Sequence, residues 1–306
     1  MQPFGDNQIE KYLPPGTPLI EPDARAHRGL YIPDIMREYG EMRGAIRSRL
    51  PVMWRMVRGM FHIRRGYAGL KRNPGRGRTE IDAASLTRLR GRALELGCTH
   101  VGYTRVPQSL IFSNQKLLFD RAIVLTQEMN RERIAHAPAL EAGKEVWRTY
   151  DSLGWIVNQL AEELRASGYA VQPGSPMGGE VNYVMLAQKA GLGHVGKHGL
   201  LIAPDTGPSL RIAAIYTQIE NLPDTDSDEH AWIADFCRQC RRCVRTCPGQ
   251  AIYAEDIVFE DGSHQCIDYR KCAVPFAKHL GCSVCIKECT FFQGDYARIK
   301  SRFHKS

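Results

Sequence analysis

CRQCRRCVRTCP (237–248) carries four cysteines in the spacing C-x2-C-x2-C-x3-C-P. Three closely spaced thiolates on a tight loop can grip three irons of one cubane. The fourth, Cys247, starts the next helix and points to a second cluster. Pro248 suits the first helical position, where no N–H is required. The alternative is a zinc site, but zinc motifs usually pair two C-x2-C knuckles at wider separation.

The same logic extends toward the C-terminus. Cys282, Cys285 and Cys289 form C-x2-C-x3-C, one ligand short of a complete run, and Cys266 or Cys272 must supply the missing thiolate. We choose Cys266. By the crossed pattern of two-cluster ferredoxins, Cys237, Cys240, Cys243 and Cys289 hold one [4Fe–4S] cluster, and Cys247, Cys266, Cys282 and Cys285 hold the other. Cys272 and Cys98 are then spare, each read as a small buried hydrophobe. Thr290 follows Cys289 where ferredoxins usually carry Pro, a departure that concerns the helix start more than the ligation.

Nine of the ten cysteines lie between Cys237 and Cys289. With no export signal expected in MQPFGDNQIEKYLPPG, this clustering argues for metal ligation in a reducing compartment and against a disulfide framework. No apolar run is long enough to span a membrane. The expected location is therefore cytoplasmic, or peripheral at a membrane.

The 306 residues carry a net charge of +8 and are 43% hydrophobic, enough to bury a real core. The charge is concentrated. Arg43 to Arg78 holds eleven basic residues and no acidic one, leaving −3 for the remainder. The segment is expected to be helical over 43–72, broken at Pro51 and around Gly66. Met53, Trp54, Met56, Val57, Met60 and Phe61 fall largely on one side. Residues 71–78 read as a flexible linker. This arm is expected to be solvated, to lie on a membrane surface, or to contact nucleic-acid phosphates such as those of tRNA.

Three units follow: an extended arm with a basic amphipathic segment (1–78), an α/β unit (79–225) and a cysteine-rich unit (226–306). In the middle unit, Asp82 and Gly97 are candidate caps of one helix. Residues 99–106, 121–129 and 209–219 have strand character, and a long helix is expected from Glu141 to Ser167. Helices alternating with strands give an α/β, or α+β, class. In GLGHVGKHG (191–199), Gly191, Gly193, Gly196 and Gly199 permit close backbone approach to a large flat ligand. The spacing is not the dinucleotide fingerprint, and the segment enters a strand from a helix, the reverse order for that motif.

AGLGHVGKHGLLIAPDTGPSLRIAAIYT (190–217) ahead of the cysteine runs, with EMNRERIAHAPA (128–139) and LRASGYAVQP (164–173) upstream, resembles the corrinoid iron–sulfur reductases. These include the reductive dehalogenases and the epoxyqueuosine reductases, and the resemblance covers roughly 80–292. It implies a modified nitroreductase-like cobalamin-binding domain beside a small ferredoxin-like double-cluster domain. The cobalamin is then base-off without a protein lower ligand, in keeping with the absence of D-x-H-x-x-G. Its binding residues are expected to be Tyr183, Gly191, Gly193, His194, Gly196, Lys197, His198, Gly199, Leu200 and Arg211. Lys197 is expected to polarise substrate or contact corrin amides. The acid or tyrosine that the families carry some 60 residues earlier is missing, so Glu132 and His136 stand as the proton donors. The implied function is reduction of a C–X or C–O bond of a small organic substrate through cobalt(I). Two [4Fe–4S] clusters and an external low-potential electron donor would feed it. The alternatives are epoxyqueuosine reduction on tRNA, and a non-catalytic electron-transfer or corrinoid-handling protein.

Overall fold

The structure is a computed structural model describing residues 9–40, 46–259 and 264–305. Arg43 and the side chain of Arg47, both counted in the basic segment, lie outside the described residues, as does the 1–8 portion of the expected arm. What is described of the N-terminal unit is packed onto the body of the chain. It forms helices α1 (Ile32–Tyr39) and α2 (Ile46–Gly69).

Contrary to expectation, α2 runs unbroken through Pro51 and Gly66. Pro51 lies near the helix start and forgoes a single intrahelical bond. Gly66 marks a close approach: a Cβ there would sit 3.1 Å from Pro173 Cγ and 3.4 Å from Asn158 Oδ1. The apolar residues expected on one side divide between two. Val52 is fully buried, with Met56, Met60 and Ile63 packed beside it. Met53, Trp54, Val57 and Phe61 face outward, Trp54 being 64% exposed.

Residues 79–225 supply most of the rest of the core. Helix α3 (Ala83–Glu95) starts where Asp82 accepts from the Ser85 N–H at 2.8 Å and ends before Gly97, whose φ is +107°. Strands β1 (His100–Arg105) and β2 (Arg121–Glu128) follow, then a short helix α4 (Arg131–Ile134) and the long helix α5 (Leu140–Ala166). After strand β3 (Val171–Pro173) come helix α6 (Tyr183–Lys189), strands β4 (His194–Val195) and β5 (Leu201–Ile202), and strand β6 (Leu210–Thr217).

The main sheet has the order β1-β2-β6-β3 and every pairing is antiparallel. The unit is therefore α+β and not a set of parallel βαβ crossovers. Strand alternation divides the core in two. Ile123, Leu125, Ala213 and Ile215 meet α3 and α5 on one face. Ala122, Val124, Ala214 and Tyr216 meet α6 and β5 on the other.

Helix α2 lies along α5. Asp151 Oδ1 takes both His62 Nε2 at 3.1 Å and Arg58 Nε at 3.2 Å, and the Asn158 amide donates to the His62 carbonyl at 3.0 Å. The expected flexible linker is pinned. Asn73 Oδ1 accepts from Arg165 Nε at 2.9 Å and the Val171 N–H at 3.1 Å, and the Arg78 N–H donates to the Gly168 carbonyl.

The cysteine-rich unit comprises α7 (Trp232–Cys240), α8 (Arg242–Thr246), strands β7 (Ile252–Val258) and β8 (His264–Ile267), α9 (Tyr269–Lys278), α10 (Val284–Lys287), α11 (Thr290–Gln293) and α12 (Tyr296–Phe303). It docks on the first half of α5. The Trp147 indole N–H donates to the Leu280 carbonyl at 2.9 Å, and Gly143 leaves room for the His279 and Leu280 carbonyls. No helix among the described residues is long and apolar enough to cross a membrane.

Candidate functional site

The short helices α7 and α8 meet at Arg241, whose φ of +49° turns the chain sharply. This turn brings Cys237, Cys240 and Cys243 to one cavity, and Cys289 enters it from the start of α11. Across the cavity lies the loop joining β4 to β5, contributing Lys197 and His198. Burial pushes the Cys237 thiol up to about 11, and those of Cys243 and Cys289 up to about 12. Lys197, on the facing loop, pulls the Cys237 thiol the other way. Thr290 Oγ1 stands 3.2 Å from Cys240 Sγ. The residue that departs from the usual Pro therefore touches a candidate ligand.

A second group adjoins the first. Cys285 is half-buried, and burial together with the neighbouring Cys272, Cys282, Cys243 and Cys247 pushes its thiol well up. Cys272 is pushed up to about 11 by burial and by Cys247 and Cys282. The Ala251 N–H donates to Cys247 Sγ at 3.3 Å. Cys266 stands apart from this group. Its charged neighbours are Asp256 and Lys197, and its sulfur lies 3.2 Å from where a Cβ on Gly199 would be. Strand β8 carries it to the loop, whereas α9 turns Cys272 toward the thiols. Among the described residues, no three His, Cys, Asp or Glu side chains converge as they would on a single metal ion. The thiols of the first group stand around the cavity instead. Cys98 is buried in the core face shared by α3 and α5.

The residues expected to hold a flat ring are dispersed. The Tyr183 hydroxyl donates to Glu180 at 3.3 Å. His194 lines a cleft of about 280 Å³ with Met185, Gln188 and Asp226. His198 faces the first cysteine cavity. Arg211 lies over the Tyr150 ring, 5.0 Å from its centroid. Leu200 packs in the core cluster near α5. The glycines serve contacts within the protein: a Cβ on Gly191 would collide with the Thr225 carbonyl, and one on Gly193 with the Ile202 carbonyl. Gly196 is tight against His198 and Ile202, and Gly199 against Ile267. The Lys197 ammonium, 10% exposed, is engaged by Asp256. Glu132 and His136 are both exposed to solvent on and just after α4.

One group escaped the sequence reading. Glu180 is 2% exposed, with the Tyr67 and Tyr183 hydroxyls each at 3.3 Å and Tyr216 against it. Burial pushes its carboxyl up to about 7. A single Glu after two glycines reads as a turn residue, so no local signal exposes it.

No family model matches the chain. Over 134 residues it is 35% identical to a tetrachloroethene reductive dehalogenase of Desulfitobacterium hafniense, covering 44% of this chain and 23% of that protein. A tetrachloroethene reductive dehalogenase of Sulfurospirillum multivorans is 30% identical over 185 residues, 58% of this chain and 36% of the other. Over about half its length the chain is thus similar in sequence to reductive dehalogenases. It also shares 40% identity over 83 residues with an epoxyqueuosine reductase of Synechocystis, 27% of this chain and 26% of that one. In fold, a solved catabolic reductive dehalogenase matches 94% of this chain and 45% of its own, with a TM-score of 0.71 at 20% identity. The mixed α and β architecture is thus that of part of a dehalogenase. The chain spans 23% to 36% of the length of the two curated dehalogenases.

Proposed function

We propose that the chain is an oxidoreductase of the corrinoid iron–sulfur kind. It holds one [4Fe–4S] cluster on Cys237, Cys240, Cys243 and Cys289, and a second on Cys247, Cys272, Cys282 and Cys285. One observation carries this reading: eight cysteines divide into two adjoining groups that keep the crossed pattern, with Cys289 joining the first set and Cys247 the second. Cys272 replaces Cys266 as the eighth ligand, because Cys266 faces Lys197 and Asp256.

When bound, such clusters supply one-electron steps at low potential, tuned by hydrogen bonds and exposure. The chain's own residues set those conditions. The packing of α7, α8 and α11 half-buries the first cavity and buries Cys243 and Cys289 within it. The Ala251 N–H orients Cys247. Arg131, donating to the Phe292 carbonyl at 2.5 Å, and Lys287, donating to the Ala137 carbonyl at 2.8 Å, hold the cysteine-rich unit against α4 and its following turn.

Kinship with the reductive dehalogenases supports cobalamin as a second cofactor and a small organic substrate reduced at a C–X or C–O bond. The ring residues named from resemblance do not line one cavity in this structure. Tyr183, His194, His198 and Arg211 occupy four different surroundings. A tRNA substrate has less support. Arg55, Arg58 and Arg72 in the basic segment are engaged by the Lys144 carbonyl, Asp151 and Glu162.

The test is anaerobic reconstitution with iron, sulfide and hydroxocobalamin, followed by a metal count and absorbance and electron paramagnetic resonance spectra. Two clusters and bound cobalt are expected. A chain that takes up no iron refutes the reading. One that holds iron but no cobalt reduces it to an electron-transfer module.

A further inference from the structure

We propose that His198 donates a hydrogen bond from Nε2 to the cluster held by Cys237, Cys240, Cys243 and Cys289, and with Thr290 raises that cluster's reduction potential. The inference rests on the reading of those four thiols as cluster ligands.

The imidazole is almost entirely buried, 2% exposed. Its Nδ1 accepts a hydrogen bond from the Leu200 backbone N–H at 3.2 Å. A ring nitrogen that accepts from an amide carries no proton, so the proton of the neutral ring is on Nε2. That N–H is buried and has no hydrogen-bond partner among the described residues. Buried donors are rarely left so, and an orphan calls for an acceptor. The ring lines the cavity of the four cysteines, where sulfur acceptors would stand.

The loop holds the ring in this attitude. A Cβ on Gly196 would lie 2.9 Å from His198 Cε1 and 2.6 Å from Ile202 Cδ1, so position 196 has no room for a side chain. The neighbouring Lys197 lines the same cavity from the same loop. From the opposite wall, Thr290 Oγ1 reaches Cys240 Sγ at 3.2 Å, and toward a thiolate the hydroxyl must be the donor. With its proton on Nε2, His198 is a donor and not a fifth ligand. Hydrogen bonds to cluster sulfur stabilise the more negative, reduced state, so each donor raises the potential.

The test uses the full chain loaded anaerobically, with iron content measured first. Potentials are then read by mediated redox titration followed by electron paramagnetic resonance, for wild type, His198→Phe, His198→Gln and Thr290→Val. We expect His198→Phe to lower the midpoint of one cluster and leave the other in place. His198→Gln, which keeps a donor, should recover much of the shift. Thr290→Val should lower the same cluster by less. Equal midpoints in wild type and His198→Phe would overturn the proposal. Should His198→Phe fail to hold iron, the wild-type protein decides. With ¹⁵N-labelled histidine, the reduced cluster should show a nitrogen coupling and an exchangeable proton, and absence of both refutes the bond. A wild-type chain that binds no iron overturns the cluster assignment itself, and the inference with it.

Discussion

Lys197 Nζ sits 2.5 Å from Asp256 Oδ1, tying the loop between β4 and β5 to the β7–β8 hairpin. The ammonium is 10% exposed and the carboxylate 34%. Removing the lysine leaves a partly buried carboxylate unpaired. Lys197→Ala should therefore cost about 1–2 kcal/mol in urea unfolding, after allowance for the exposure of Asp256. Adding Asp256→Asn should recover part of that loss. Iron content should hold, because the Lys197 ammonium pairs with Asp256 and not with a cysteine. A Lys197→Ala protein as stable as wild type would show that the pair contributes nothing.

The eighth ligand can be settled by metal count. Cys272→Ser should lose about half of the iron, and Cys266→Ser should keep it. The reverse outcome would return the eighth position to Cys266.

Glu180 makes a pH signature. Its folded carboxyl titrates at about 7 against 4.5 for the free group, so the folded state holds the proton more tightly. The stability this contributes is complete below pH 4.5 and is lost as pH rises through about 7. Relative to Glu180→Gln, wild type should lose on the order of 3 kcal/mol across that range, since each tenfold change in proton affinity is worth about 1.4 kcal/mol. Parallel stability curves for the two proteins would show that Glu180 does not titrate in this way.

The two faces of α2 should respond differently. Val52 is fully buried, so Val52→Ala should cost about 1–3 kcal/mol. Trp54 is 64% exposed, so Trp54→Ala should change stability by no more than about 0.5 kcal/mol. Similar losses at both positions would mean that the outward face is also covered in the folded protein.

Local chemistry was legible in the chain. Asp82 caps α3 and Gly97 takes the positive φ that ends it, because both act within one helical turn. The long helix expected from Glu141 to Ser167 is α5, displaced by one residue at each end. Pro51 misled because a proline near a helix start removes little. Periodicity placed the apolar residues of α2 but could not say that α5 covers only the stripe through Val52, Met56 and Met60. The glycines of the expected ring-binding set have a second reading. Glycines that would admit a flat ligand equally admit the carbonyls of Thr225 and Ile202.

The spacing of the cysteines determined by itself that thiolate clusters are at issue, because ligands three or four residues apart are held together by covalent geometry. It also determined the crossed order in which Cys247 and Cys289 leave their own runs. Which distant cysteine lies nearer the second group is a matter of tertiary structure. Cys266 and Cys272 are six residues apart, and the change from β8 to α9 sends one to Asp256 and the other to Cys282. Tertiary structure alone decided the sheet's antiparallel sense, the burial of Glu180 among tyrosines, and the placing of His198 in the lining of the first cysteine cavity. Each of these depends on contacts between residues far apart in the chain, whose direction local pattern does not carry.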